Sequence, residues 1–304
     1  MADDQFPILD VSGWTVAVNE TVGVEAKYWV EEPGADMRWL FKSVTVKEGH
    51  VHGEDWAERA VAGLATMLGV PCARVELAVR CEQNGCISAD LRPPGQELQH
   101  GQLLLEERKA PGYSHGTGKV HPGHTVENIR LVLEDALPPP GFEPGFEASA
   151  YDVFVGYLML DAWVANRDRH DNNWAVLRSV TASGGPLRLC GSYDHASSLG
   201  FNLTEERLLV VLQNVTAWCG RGTAWRFDPG AGTQKVPTLV ELAVKALQAA
   251  SPEARQYWPE RLAQVDHELV LALLGSVPRM SDLARTFAGK VLDVNRRRVL
   301  DACD

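Results

Sequence analysis

Two hydrophobic periodicities divide the chain. Over the first hundred residues, apolar and aromatic side chains come in short runs (WTVAVN, KYWVEE, RWLFKSVTV, RVELAVR, GCISADL) separated by turn pairs such as Pro33-Gly34 and Asn84-Gly85. Runs rich in Val, Trp, Tyr, Phe and Thr between turn residues predict strands. One helical stretch, Glu54 to Leu68, interrupts them, so this region reads as a small antiparallel sheet with a helix against it. From about Glu147 the period becomes helical: Tyr151, Phe154, Val155, Leu158 and Trp163 define an apolar face. Further helices are expected near 204–218, 236–250, 258–275 and 281–302. Between the two regimes, Glu97 to Gly145 is rich in Gly, Pro and His, with one short helix expected in HTVENIRLVLEDAL, where Thr125 and Asn128 offer capping chemistry. The expected architecture is an α+β fold of two lobes: a sheet lobe over 1–96, a junction over 97–146 and a helical lobe over 147–304.

The polar residues that break this pattern gather in DAWVANRDRHDNNW, from Asp161 to Trp174, where an apolar run ends in a knot of Asn, Asp, Arg and His. Asp168 and Asn173 stand five apart, the spacing at which kinase catalytic loops place the Asp that orients an acceptor hydroxyl and the Asn that holds magnesium. Downstream, Asp194 closes an apolar segment in GSYDHASSLG; upstream, Lys42 sits in the strand-like WLFKSV. Asn173 and Asp194 offer the hard oxygen ligands that Mg2+ prefers, and Lys42 is placed to reach nucleotide phosphates. A lysine among Trp39, Leu40 and Phe41 needs a carboxylate partner. The following helix offers Glu54 and Glu58, of which Glu58 lies a full turn inside and is the expected partner. His170 is expected to contact a phosphate or to pack beneath the loop. Asp161 and Asn166 read as a helix-terminal acid and a turn residue. The segment NETVGVEAK, in a position to cover phosphates, carries the single glycine Gly23, so neither GxGxxG nor Walker A is present. His115, His121 and His124, with His100, raise an alternative reading as zinc ligands, but they lack helical spacing.

Composition narrows the function classes. The 304 residues suffice for two lobes with a full core, and the net charge of −11 argues against nucleic-acid or anionic-membrane binding as the main activity. Six cysteines without a CxxC pair read as reduced thiols. The acidic N-terminus MADDQFPILD is unlike a signal peptide, and no apolar run approaches the roughly 20 residues that span a bilayer. A cytoplasmic protein is expected.

With Lys42, Asp168, Asn173 and Asp194 in hand, the chain resembles the HipA-like kinases, relatives of the protein-kinase and phosphatidylinositol-kinase folds. The resemblance rests on an NxDRHxxN core (Asn166, Asp168, Arg169, His170, Asn173) followed by YDHASSLG, and it extends in element order from about Lys27 to the end. It implies ATP and Mg2+ as cofactors, Lys42 on the ATP phosphates, a catalytic Asp168, magnesium on Asn173 and Asp194, and an adenine hinge near Ala89 to Leu91. It further implies a hydroxyl acceptor, most naturally a protein Ser/Thr. A small molecule, lipid or peptide acceptor is the alternative, and a nucleotide-binding pseudokinase is the non-enzymatic one. A DNA-binding antitoxin is a partner the resemblance allows, but the shorter chain and acidic charge favour a compact, stand-alone member.

Overall fold

The computed structural model describes residues 6–20, 27–115, 121–181, 185–230 and 235–304. The chain begins with strands β1 (Ile8–Asp10), β2 (Thr15–Glu20), β3 (Lys27–Glu31), β4 (Arg38–Ser43) and the small hairpin β5 (Val46–Lys47) and β6 (His50–Val51). Helix α1 (Glu54–Leu68) follows, then β7 (Val75–Arg80) and β8 (Gln83–Ala89). Six of these strands form one sheet in the order β1-β7-β8-β4-β3-β2, antiparallel except where β1 runs parallel to β7. Each strand expected from sequence is present; β1, three residues long, carries too little pattern to be read. Period-two alternation on β4 buries Trp39 and Phe41 with Val30 and Ile87 on one face and leaves Lys42 on the other. On that second face the register sets Lys42 opposite both Lys27 and Cys86.

Helix α1 ends where Gly69 adopts φ 85°, a left-handed cap that closes the last turn. Its buried residues, among them Ala57, Ala60, Val61, Leu64 and Leu68, belong to the same core as the helical lobe. Residues 97–146 contribute to that core as well. Strand β9 (Gln96–His100) pairs antiparallel with β10 (Ala175–Ser179), which also pairs with β11 (Arg188–Leu189). Helices α2 (Gly101–Glu107) and α3 (Val126–Val132) bury Leu104, Leu105, Ile129 and Val132. Thr125 caps α3 by accepting from Asn128 N–H.

Helix α4 (Ala150–Val164) differs from expectation. Instead of one apolar face, every residue is buried, Asp152 and Asp161 included, because helices and strands cover it on all sides. Ser149 and Asp152 close a capping box at its start, and Ala165 ends it in the left-handed conformation at φ 58°. The helix expected at 204–218 is two, α5 (Glu205–Val211) and α6 (Val215–Gly220), because Asn214 leaves helical geometry to cap the second. The stretch at 258–275 also divides, into α8 (Pro252–Gln264) and α9 (His267–Ser276), where Asp266 accepts from Glu268 and Leu269 N–H. Helices α7 (Leu239–Gln248) and α10 (Asp282–Cys303) fall where expected. Among the described residues no helix is long and apolar enough to cross a membrane.

Gly156 lies where α4 meets Trp258, which is fully buried and donates its indole N–H to the Asp152 carbonyl at 2.7 Å. A Cβ at position 156 would come within 2.3 Å of the pinned ring. Gly156→Ala is therefore expected to lower unfolding stability by at least about 2 kcal/mol, read as a lower midpoint in urea denaturation with unchanged slope.

Candidate active site

Lys42, Asp168, His170 and Asp194 line one cleft between the sheet and the helical lobe, together with Lys27, Ser43 and Cys86; its volume is about 190 Å3. The central contact is a hydrogen-bonded ion pair, with Lys42 Nζ donating to Asp194 Oδ1 at 2.8 Å. Burial alone would push Lys42 down, but Asp194 and Glu58 more than offset it and hold the ammonium well above its ordinary range. Burial likewise works to raise Asp194; the facing Lys42 and Lys27 overcome it and hold the carboxylate well below its usual range. Asp194 itself has φ 59°, an uncommon conformation for a residue with a side chain, of the kind found where a site fixes the backbone.

Glu58, the expected partner of Lys42, does not form that hydrogen bond. It is fully buried behind the cleft and accepts from His195 N–H at 2.9 Å, which fixes the backbone beside Asp194. It acts on Lys42 through its charge, while its second oxygen, Oε2, has no hydrogen-bond partner among the described residues. The reason is reach: Asp194 enters from the facing lobe and takes the ammonium directly. Helix α1 also supplies Glu54 to the cleft wall.

The loop after α4 is held from beneath. Asp161, fully inside α4, accepts both Nε and Nη2 of Arg169 at 2.7 and 2.8 Å and Nδ2 of Asn166 at 2.8 Å. Arg169 also donates to the Asn173 carbonyl at 2.7 Å. Asp161 and Asn166 thus do more than end a helix and make a turn: they anchor the loop, and the buried position of an acid within an apolar run was the available signal. Asn173 donates through Nδ2 to the Asp168 carbonyl at 2.7 Å, so its Oδ1 takes no part in that bond; it is buried and does not itself line the cleft. Asp168 Oδ1 accepts from Arg226 Nε at 2.6 Å, a partner no sequence motif announced.

The histidines are committed to the same scaffold. His121 Nδ1 lies 2.9 Å from Asp171 Oδ2, which also accepts from Tyr113 Oη, and the His121 ring stacks on His170 at 6.0 Å. His100 Nδ1 lies 3.1 Å from Tyr193 Oη. His124 donates Nδ1–H to the Arg226 carbonyl at 3.0 Å and accepts the Trp174 indole N–H at Nε2, 3.2 Å away. Among the described residues no group of three metal-ligating side chains converges. Ala89 and Leu91, expected at an adenine hinge, do not line the Lys42 cleft. Ala89 packs beside Trp39 and Phe41, and Leu91 lies against Leu177 and Cys190 and borders a separate cavity with Gly191. Gly23 and most of its covering segment lie outside the described residues, whereas Lys27, at the end of that segment, lines the cleft.

No family model and no curated protein matches this sequence. Among solved structures, the proinflammatory kinase CtkA of Helicobacter pylori superposes with a TM-score of 0.72, covering 98% of this chain and 97% of its own at 15% identity. HipA of Shewanella oneidensis MR-1, solved with HipB and its operator DNA, gives 0.57 over 95% of this chain and 68% of its own at 13% identity. The fold is that of the HipA-like kinases. At these identities the likeness is one of fold, and within this HipA-like fold the cleft just described lies between the sheet lobe and the helical lobe.

Burial lowers the pKa of His124 to about 4, with the neighbouring His121 and His170 pushing the same way, although the bond to the Arg226 carbonyl and the charge of Asp171 work to raise it. Unfolded, the same ring titrates near 6.5, so between these values the unfolded chain binds the extra proton and stability falls as pH falls. The contribution is complete above pH 6.5 and is lost progressively toward pH 4, by up to about 3 kcal/mol. His124→Gln should flatten the stability profile over that window, as measured by denaturant midpoints from pH 7 to pH 4.

Proposed function

We propose that the protein is an ATP- and magnesium-dependent kinase that transfers the γ-phosphoryl group of ATP to a hydroxyl, with a protein Ser or Thr as the preferred acceptor. The observation that carries this reading is the convergence of Lys42, Asp168 and Asp194, from three distant parts of the sequence, on one polar cleft in a HipA-like fold. Phosphoryl transfer asks little covalent chemistry of a protein; it asks for cations on the phosphates and a carboxylate that holds the hydroxyl in line.

The residues present suit both groups. The Asp194 carboxylate and the Asn173 amide oxygen are hard oxygen donors of the kind magnesium prefers, and these two would hold the ion, Asn173 from just behind the cleft lining. Bound there, the metal would neutralise charge on the phosphate oxygens. Lys42 and Lys27, cross-strand neighbours on the cleft face, bind and orient the phosphates; their mutual repulsion is relieved by Asp194 until anionic phosphate takes its share. Asp168 accepts the hydrogen bond of the acceptor hydroxyl and holds it in position. Arg226 holds that carboxylate in place. His170, at the cleft wall and stacked on His121, is placed to donate to a phosphate oxygen.

Asp168→Asn should leave Mg-ATP affinity within about twofold while lowering turnover by 10²-fold or more, on the order of what positioned acid–base groups supply. Calorimetry and a phosphate-transfer assay on the same preparation separate the two. Asp194→Asn should instead weaken nucleotide binding in the presence of magnesium at least tenfold and have a smaller effect without it. Unchanged Mg-ATP affinity in that variant would remove Asp194 from the metal site.

A further inference from the structure

Beside the Lys42 cleft, and sharing Asp168 and Ser197 with it, runs a second groove of about 490 Å3. Its other walls include Phe201, Trp218, Trp225 and Arg226, with Arg167 at its edge. The division of charge between the two spaces is clear. Lys27 and Lys42 line the cleft and not the groove; Arg167 and Arg226 line the groove and not the cleft. Asp168, the boundary residue, faces both.

The arginines are not equivalent. Arg226 is built in: its guanidinium lies 3.8 Å over the Trp225 ring and pairs with Asp168, and its carbonyl accepts from His124, whose ring stacks on Phe227 at 4.4 Å. Arg167 is exposed and donates to Thr223 Oγ1 at 3.2 Å, and among the described residues it has no carboxylate partner. In a chain of net charge −11, an uncompensated guanidinium beside a neutralised carboxylate makes a local positive site against an acidic background. Partly exposed tryptophans next to arginines are the side chains that dominate protein recognition, and the groove has the volume of an ordinary ligand site.

Resting on the kinase reading, we propose that this groove binds the acceptor as a polypeptide segment and selects Ser or Thr residues flanked by acidic side chains. The acceptor hydroxyl lies at Asp168, the peptide crosses Trp218 and Trp225, and a neighbouring Asp or Glu pairs with Arg167. A carboxylate meeting a guanidinium makes a charge-assisted and often bidentate contact, which fixes register as well as affinity. Arg226, already paired with Asp168, positions that carboxylate and presents the second positive edge. The surface of the chain at large repels acidic peptides, so the preference is specific to this groove.

The test uses the full chain and two peptide sets of equal length, each with one central Ser or Thr, flanked by Glu or by Lys. Binding is read first, without nucleotide, from the fluorescence of Trp218 and Trp225, and phosphate transfer is read second. The expected result is at least tenfold tighter binding of the Glu-flanked peptides, an advantage that falls severalfold in 0.5 M salt. Arg167→Glu should abolish or reverse the preference, and Arg167→Lys should retain part of it, with Mg-ATP affinity by calorimetry unchanged in both. Equal binding of both sets, preference for the Lys set, or an unaltered preference in Arg167→Glu would overturn the proposal. If Glu-flanked peptides bind selectively but no phosphate is transferred, the groove assignment stands and the kinase reading fails; transfer without flanking preference gives the converse.

Discussion

A deeply buried guanidinium organises the part of this molecule that holds the candidate site. Arg169 is buried together with Asp161 and donates to it a bidentate pair of hydrogen bonds at 2.7 and 2.8 Å. Burying either charge alone would be prohibitive, so each requires the other. The remaining donor of Arg169 reaches the Asn173 carbonyl and, at 3.5 Å, the Tyr193 carbonyl. One side chain therefore joins the central helix, the loop that carries Asp168 and the segment that carries Asp194. Such a pair adds little net stability by comparison with an apolar replacement; what it supplies here is a fixed geometry for three segments at once.

Around that anchor the charges at the surface of the cleft are arranged in opposed pairs. Lys42 neutralises Asp194, and Arg226 neutralises Asp168. Lys42 and Lys27 together hold the Asp194 carboxylate well below its usual range despite its burial. Under the proposed kinase reading, such preorganisation would remove reorganisation from the moment of reaction, because the charges that would face phosphate or a hydroxyl are already in place. Glu58 extends the arrangement inward: by accepting from the backbone beside Asp194, it couples α1 to that carboxylate, so a shift of the helix would be felt at the cleft.

A second scaffold runs through the histidines. Asp171 gathers Tyr113 and His121, His121 stacks on His170, and His124 links Trp174 to the Arg226 backbone. Tyr113, His121 and His124, from a stretch poor in regular pattern, thereby become the support on which the Asp168 loop and the groove wall rest. In this network neutral His124 acts as a two-ended connector, donor at one nitrogen and acceptor at the other.

Much of this was legible in the residue order. Period-two runs gave the strands from Thr15 to Ala89, period-3.6 runs gave α1, α7 and α10, Asp168 and Asn173 stood out by their spacing of five, and Lys42 and Asp194 by being charged groups beside apolar runs. Local signals reach only a few residues, and so they missed the three-residue β1, merged helices that Asn214 and Asp266 divide, and gave α4 one apolar face where packing buries all of it. Which charges meet was beyond them altogether. The sequence offered Glu58 to Lys42, but the ammonium bonds Asp194, 152 residues away, and Arg226 reaches Asp168 from 58 residues away. Pairing energies fall steeply with distance and rise with burial, and both are set only when the chain has closed on itself. The sequence determined which residues are candidates for the chemistry; the tertiary structure decided which of them touch.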